Sequence, residues 1–380
     1  MKIVQVNYAY AAQISDHAAL VDSYETLTGW SEAVAGAGAE MSVVQAFHYD
    51  ARLSRHGIDY VFCADQRPAG SGARWRRPRA LEAAVRAAGP DVVHVNSLEF
   101  APEIWLLRRS LPPTSALVVQ DHASPLPRSF SLTGAVRRRL LGAADAFLFT
   151  APEQAIPWQS NGYIAERQTV YDVLESSTTF RPMDRETARS ISRTQGRPSV
   201  LWVGRLNSTK DPMTVLQGFE HALESLPDAV LTMVYGEEDL LPAVRRRVSE
   251  SRALTRSVRL VGRVPHGQMP AFYSAADLFV LGSAHEGSGY SLIEACACGA
   301  VPVVTSIPSF RAITGKGAIG VLWPHGDAGA FANAVVDAAN RDLVGERRRV
   351  LSHFDQQLSW PVVGRRALEI YEDVRASRRT

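Results

Sequence analysis

Glu286 and Glu294 stand at the two ends of the run Glu-Gly-Ser-Gly-Tyr-Ser-Leu-Ile-Glu, with seven residues between them. The run follows a short apolar stretch at 278–281 that reads as a strand. The pattern from Tyr290 through Ala295 to Cys298 predicts a helix. Gly287, Ser288 and Gly289 then form a small-residue turn that opens this helix. Glycines let a ligand approach the backbone, and a helix N-terminus offers N–H groups and partial positive charge, so the turn has the makings of an anion site. Carboxylates instead accept hydrogen bonds from hydroxyls. A phosphate cradle between two hydroxyl acceptors suits a diphosphate flanked by two sugars, the shape of a nucleoside-diphosphate sugar. A surface loop whose helix is capped by Ser288 has the same spacing, and residue types alone leave both readings open.

A second group is Val203-Gly204-Arg205-Leu206-Asn207-Ser208-Thr209-Lys210-Asp211, directly after the apolar stretch 200–203. Among 41 basic residues only Lys2, Lys210 and Lys316 are lysines, so an internal lysine stands out. If 200–203 is a strand, Arg205 and Lys210 lie in the loop at its carboxyl end, where open α/β sheets bind ligands. A rotatable ammonium can follow a phosphate whose charge grows as a bond breaks, and a guanidinium offers a rigid fork. A lysine in an exposed loop is the plainer reading.

The elements that must position these residues recur along the whole chain. Strand candidates fall at 3–6, 42–46, 60–63, 92–95, 117–120, 146–149 and 169–173, then at 200–203, 230–235, 258–261, 278–281, 301–305 and 320–323. They are short, rich in Val, Ile, Leu and Phe, and lack period-two alternation, as strands covered on both faces do. Helical patterns lie between them, for example at 29–37, 79–88 and 212–225. The alternation predicts parallel sheets with helices on both faces. The pattern restarts after a polar stretch at 174–198, which places a boundary near 180–198 and a ligand cleft between the carboxyl ends of two sheets. The expected division is 1–185, 196–358 and a tail at 359–380, where Ser359-Trp360-Pro361 breaks one helix and opens the last at 362–376.

Composition excludes much. The 380 residues are 46% hydrophobic and 21% charged, which is neither disordered nor fibrous. A net charge of +2 argues against a dedicated nucleic-acid binder. Three cysteines make no disulfide scaffold, and no apolar stretch approaches the ~18 residues of a membrane span. No leader sequence is evident, and the expectation is a cytoplasmic protein. The basic run at 137–139 reads as a solvated helix face, or else as a contact for an anionic acceptor or membrane surface.

The second half resembles glycosyltransferase family 4, retaining enzymes of the GT-B fold. The likeness rests on Val-Gly-Arg-Leu with Lys210 five residues after Arg205; on Gly262-Arg263-Val264-Pro265 with Tyr273-Ser-Ala-Ala-Asp277; and on Glu286-x7-Glu294 continuing to Gly299-Ala-Val-Pro-Val-Val. It is specific over about 199–376 and weaker before, through His94-Val-Asn96, Gln120-Asp-His122 and 169–182. It implies an α/β chain of two Rossmann-like parallel-sheet domains facing across a cleft, with the C-terminal helix crossing back to the first. The first domain would bind the acceptor and the second the nucleotide sugar.

By this resemblance Gly204, Arg205 and Lys210 hold the donor diphosphate, and Glu294 accepts from the ribose. Glu286 with Gly287, Ser288, Gly289, Tyr290 and Ser291 positions the donor sugar and phosphates. Arg263 and Val264 lie at the nucleobase, with Tyr235 and Gly236 closing over it. His122 corresponds in place to an active-site histidine that contacts the donor sugar or the acceptor, with Asp121 orienting it or capping the next turn. His94 and Asn96 are read as buried hydrogen-bonding residues. Family members carry a Gly-Gly loop after the first strand. Here Asn7-Tyr-Ala-Tyr-Ala-Ala stands instead, and Thr28 and Gly29 are expected to replace the pair, with Thr28 capping a helix and Gly29 admitting a phosphate.

No Asp-x-Asp pair occurs, so no metal and no cofactor are expected. Cys296 and Cys298 lie on different helix faces and read as packing residues. The implied reaction moves a sugar, from UDP first and GDP next, to a hydroxyl-bearing metabolite, glycan or lipid-linked sugar, with peripheral membrane contact in the last case. The leaving phosphate would take the acceptor's proton, and domain closure would exclude water. A glycoside hydrolase using Glu286 and Glu294 is disfavoured, because a retaining pair stands ~5 Å apart across one bond. A non-catalytic sugar-nucleotide binder and a sugar-nucleotide epimerase would carry the same donor-site motifs. Oligomeric state is open.

Overall fold

The computed structural model describes all residues except 10–12, 24, 65–77, 125, 127–131 and 380. The chain forms two compact units, 1–177 with 360–380, and 178–359. The sequence points to divisions at 185–196 and 358/359. The polar stretch after residue 174 is not a loose linker, since Glu175, Ser176, Ser177 and Thr178 are all buried.

The first unit is built on eight strands: β1 (Lys2–Asn7), β2 (Glu40–Phe47), β3 (Ala51–Arg55), β4 (Ile58–Ala64), β5 (Val92–Asn96), β6 (Ala116–Gln120), β7 (Ala146–Phe149) and β8 (Thr169–Asp172). Their order is β3-β4-β2-β1-β5-β6-β7-β8. All neighbours are parallel except β3 and β4. The antiparallel β3 corrects the all-parallel expectation. Its side chains alternate half-buried and exposed, as an edge strand's do. It turns back through His56 and Gly57, both at positive φ, which fits the tight hairpin turn that right-twisted strands favour.

The second unit has six strands: β9 (Ser199–Gly204), β10 (Val230–Tyr235), β11 (Val258–Gly262), β12 (Leu278–Leu281), β13 (Val301–Thr305) and β14 (Val321–Trp323). They are parallel throughout, in the order β11-β10-β9-β12-β13-β14. The sequence places all of these, and misses only β3. Strand order reverses between β1 and β5 in one sheet and between β9 and β12 in the other. At such a reversal the connections leave toward opposite sides, and the carboxyl ends part to leave a crevice.

The last helix, Trp360–Arg379, belongs to the first unit and lies on the helix Glu25–Gly36. Trp30 Nε1 donates to Tyr371 Oη at 3.1 Å across this contact. The crossing corrects one expectation. The helix opens at Glu25, so Thr28 and Gly29 sit inside it and build no helix-N-terminal phosphate site. Thr28 is buried, and Gly29 faces the Trp360 indole so closely that a Cβ there would lie 2.4 Å from it. Gly29 is a packing residue.

Replacing it tests this directly. Gly29→Ala forces the indole to move and should destabilise the fold by about 1–3 kcal/mol in chemical denaturation. Gly36→Ala, on the same helix with nothing within 4 Å of the added carbon, should stay within about 1 kcal/mol of wild type. Equal effects at the two positions would contradict the packing assignment.

Candidate functional site

In the second unit the expected residues gather at the carboxyl ends of four adjacent strands. Gly204 closes β9, and Arg205 to Asp211 follow it; Tyr235 closes β10; Arg263 and Val264 follow β11; Glu286 to Gly289 lie beyond β12. Two main-chain bonds stitch these loops together. Ala284 N donates to Thr209 O at 2.9 Å across the β9/β12 reversal, and Leu206 N donates to Glu237 O at 3.0 Å toward β10.

Lys210 and Glu286 meet at the reversal. The ammonium donates to Glu286 Oε1, which also accepts from Ser283 Oγ at 2.8 Å. Lys210 is only 9% exposed, so it is not a lysine in an exposed loop. A buried ammonium needs such a partner, because an unpaired buried charge costs several kcal/mol. Asp211 adopts a left-handed conformation and accepts from Thr214 N at 3.2 Å, capping the next helix and fixing where Lys210 leaves the chain. Arg205 is exposed and pairs loosely with Glu237 at 3.7 Å. Arg263 donates to Gly236 O at 3.3 Å, joining the loops after β10 and β11.

The helix Tyr290–Cys298 has Gly289 as its N-cap, at φ 63° and with no side-chain cap. Ser288 therefore does not occupy the capping position. A Cβ on Gly289 would lie 2.7 Å from Ile313 Cδ1, the movable end of a side chain, so it is the positive φ that favours glycine there. One turn in, Glu294 is buried and both its oxygens are engaged. Tyr273 Oη donates to Oε2 at 2.7 Å, and His266 Nε2 stands 2.5 Å from Oε1. Burial and then the Glu294 charge push the Tyr273 hydroxyl well above its ordinary pKa, so it remains a donor. His266 lies against Phe180 at 4.8 Å and stacks on Tyr290 at 6.1 Å between ring centres. A role for His266 escapes the sequence reading. His266 lies in a 3-10 turn, and the helix that carries Tyr273 begins only at Met269, so no helical spacing in the sequence signals the contact.

Cys296 and Cys298 are buried thiols; burial pushes Cys298 up to about 12 and Cys296 higher still. They pack, as expected. Among the described residues no cluster of three His, Cys, Asp or Glu could hold a metal ion, and no helix is long and apolar enough to cross a membrane.

In the first unit a second polar group sits at the β1/β5 reversal. Asn96 donates through Nδ2 to Asn7 Oδ1. Its Oδ1 faces His94 Nε2 at 2.9 Å and His122 Nε2 at 3.1 Å. His94 is fully buried, and its Nδ1 lies 2.6 Å from Tyr371 Oη of the last helix. Burial, then the neighbouring His122, lowers its pKa to about 3, so it is a neutral relay: Trp30 to Tyr371 to His94 to Asn96.

His122 has the opposite character. Burial works against its charge, but Glu175, with Oε2 at 2.6 Å from Nδ1, and then Asp121 raise the pKa overall. Asp121 itself caps the next turn, accepting from Ser124 N at 3.0 Å. The imidazole is thus held by Glu175, which the sequence reading leaves inside a polar linker. In the basic run, Arg137 donates to Leu98 O at 2.8 Å and lies over Trp158, while Arg138 lies over Tyr163, so two of the three arginines brace their own unit.

Two doubly wound sheets, each with a polar constellation at its strand-order reversal, define the GT-B class of glycosyltransferase fold. Sucrose-phosphate synthase from Thermosynechococcus elongatus superposes with a TM-score of 0.72 at 19% identity, covering 99% of this chain and 100% of that one. Anabaena HepE in complex with UDP and glucose gives 0.70 at 17% identity, covering 98% and 100%. Residues 184–353, within the second unit, match the family described as Glycosyl transferases group 1. The 2-deoxystreptamine N-acetyl-D-glucosaminyltransferase of Streptomyces fradiae is 28% identical over 270 residues, 66% of this chain and 62% of that protein. The match thus spans under two thirds of that relative's length.

The relay through His94 has a pH consequence. Its folded pKa, about 3, lies below the unfolded value of ~6.5. The stability this provides is present above pH ~6.5 and is lost progressively as pH falls toward 3. His122, raised, contributes in the opposite sense, present below ~6.5 and lost as pH rises through its folded value. Denaturation from pH 7 to 4 should show the His94→Gln variant losing on the order of 1 kcal/mol less per pH unit than wild type. Parallel curves would show that His94 is not buried neutral.

Proposed function

We propose that the chain is a retaining glycosyltransferase, moving a hexose from a nucleoside diphosphate, UDP first and GDP next, to a hydroxyl-bearing acceptor. The observation that carries the reading is the buried Lys210–Glu286 pair at the β9/β12 reversal, beside a helix opened by Gly289. The family that the second unit matches and the glycosyltransfer named for the Streptomyces relative support it, and the UDP and glucose named with Anabaena HepE favour UDP.

In this reading Arg205, Lys210 and the amides of 287–291 take the diphosphate. Lys210 exchanges part of its contact with Glu286 for the β-phosphate, and Glu286 turns to a sugar hydroxyl. Glu294 receives the ribose. An ionised carboxylate has about four lone-pair directions, of which His266 and Tyr273 use two. Val264, Tyr235 and Gly236 border the base. The anomeric C–O bond to the phosphate breaks, the acceptor oxygen bonds to the same carbon on the same face, and its proton passes to the leaving phosphate. Catalysis is electrostatic, by cations placed where negative charge develops, with no metal. The same reading gives His122, held by Glu175, the contact with the acceptor or donor sugar.

Binding and turnover separate these roles. Against a panel of UDP-, GDP-, ADP- and dTDP-sugars, one donor should bind, and Glu294→Ala should weaken it about tenfold or more, the worth of hydrogen bonds to a charged group. Lys210→Ala should slow transfer by roughly 10²–10³ while affecting nucleotide affinity less. EDTA should leave the rate unchanged. Unaltered nucleotide affinity in Glu294→Ala would remove the ribose role, and a metal requirement would overturn the charge assignment.

A further inference from the structure

The first unit holds a cavity of about 470 Å³ among the carboxyl ends of β1, β2, β5 and β6. Five side-chain amides line it: Gln5, Asn7, Gln45, Asn96 and Gln120. Gln45 spends its Nε2 on Ala9 O and Ala46 O, both at 2.9 Å, and Asn96 is taken up by Asn7 and the two histidines. Three amide atoms remain: Gln5 Oε1, Asn7 Nδ2 and Gln120 Nε2 are buried and find no hydrogen-bond partner among the described residues. Gln5 and Gln120 are each 1% exposed and Asn7 8%. Buried polar atoms without partners are costly, and such a set, one acceptor and two donors, is matched by a ligand that both gives and takes hydrogen bonds. Hydroxyl groups do both. Trp30, Leu20, Leu27 and Phe100 supply an apolar wall for the C–H face of a ring.

The charges lining the cavity narrow the ligand further. Glu99 and Glu175 line it, and among its described lining residues there is neither lysine nor arginine. The one titratable cation, His122, is already paired with Glu175. A phosphate monoester would bring a dianion to two carboxylates, with no guanidinium fork to receive it. The volume falls in the ~300–1,000 Å³ range of small-molecule sites, suited to one ring rather than a polymer.

We propose that this cavity selects an unphosphorylated polyhydroxylated ring, a cyclitol or monosaccharide, as the acceptor. The proposal rests on the glycosyltransferase reading, in which the first unit takes the acceptor. The test is ligand-observed NMR on the full chain with UDP present. The probes are myo-inositol, glucose, mannose and N-acetylglucosamine, each beside its monophosphate ester. At least one free ring should bind tenfold or more tightly than its ester. Gln120→Leu, and separately Gln5→Met, should weaken that ring tenfold or more with UDP affinity unchanged. Esters that bind as well as or better than the free rings would overturn the proposal, as would a protein that binds UDP and none of the eight probes. A protein that fails to bind any nucleotide would instead remove the glycosyltransferase reading beneath it.

Discussion

A parallel sheet wound outward in both directions cannot cover its own point of reversal. Where β9 meets β12, and where β1 meets β5, the connecting segments leave toward opposite faces and the strand ends stand bare. Every polar group that ends there must find a partner within its own crevice or leave its bonding capacity for a ligand. The chain meets this demand differently in its two sheets. The second places an ion pair, Lys210 with Glu286, across the reversal, and the first places an amide pair, Asn96 with Asn7. The proposed chemistry of each unit follows from that choice: a diphosphate at the crevice with the lysine, and hydroxyls at the amide-lined one, where Glu99 and Glu175 stand with no lysine or arginine among the described lining residues.

The ion pair is a device for preorganisation rather than for stability. Taking two charges out of water costs about what their attraction returns, so a buried pair stabilises a fold little. What it secures is position. Asp211 anchors the chain just after Lys210, and Ser283 steadies Glu286. In the proposed function a cation held this way is already in place and gives up only part of its contact with Glu286 when negative charge develops beside it, and electrostatic stabilisation is largest when little reorganisation is needed.

The fold was largely legible in the sequence, because buried parallel strands announce themselves as short apolar runs and thirteen of the fourteen were placed. The fourteenth, Ala51–Arg55, is an amphipathic edge strand with two arginines, and composition hides it. The loops proposed to take the diphosphate stand out in the sequence for a related reason: each is a glycine or lysine signature following a strand. Glu175 and His266 were not. Both act through partners distant in sequence, His122 across 53 residues and Glu294 across 28, and spacing carries no trace of a contact that only tertiary packing creates. Gly29 failed for a third reason. A glycine in a helix has several uses, and only the neighbour it faces, Trp360, distinguishes close packing from phosphate approach.

The last helix gains meaning from the same contacts. Tyr371 presents its hydroxyl to His94 Nδ1 while accepting from Trp30, which leaves His94 Nε2 as the donor toward Asn96. That fixes the tautomer of a ring too deeply buried to carry charge. Asn96 Oδ1 is thereby held as an acceptor, and its Nδ2 is turned to Asn7. The orientation of an amide lining the cavity is therefore set by a residue 275 positions later in the chain, on a helix seated by the absence of a side chain at Gly29. Returning the C-terminus to the first unit is thus part of how the cavity acquires its pattern of donors and acceptors, and a chain ending at Leu358 would leave His94 without the hydroxyl that orders it.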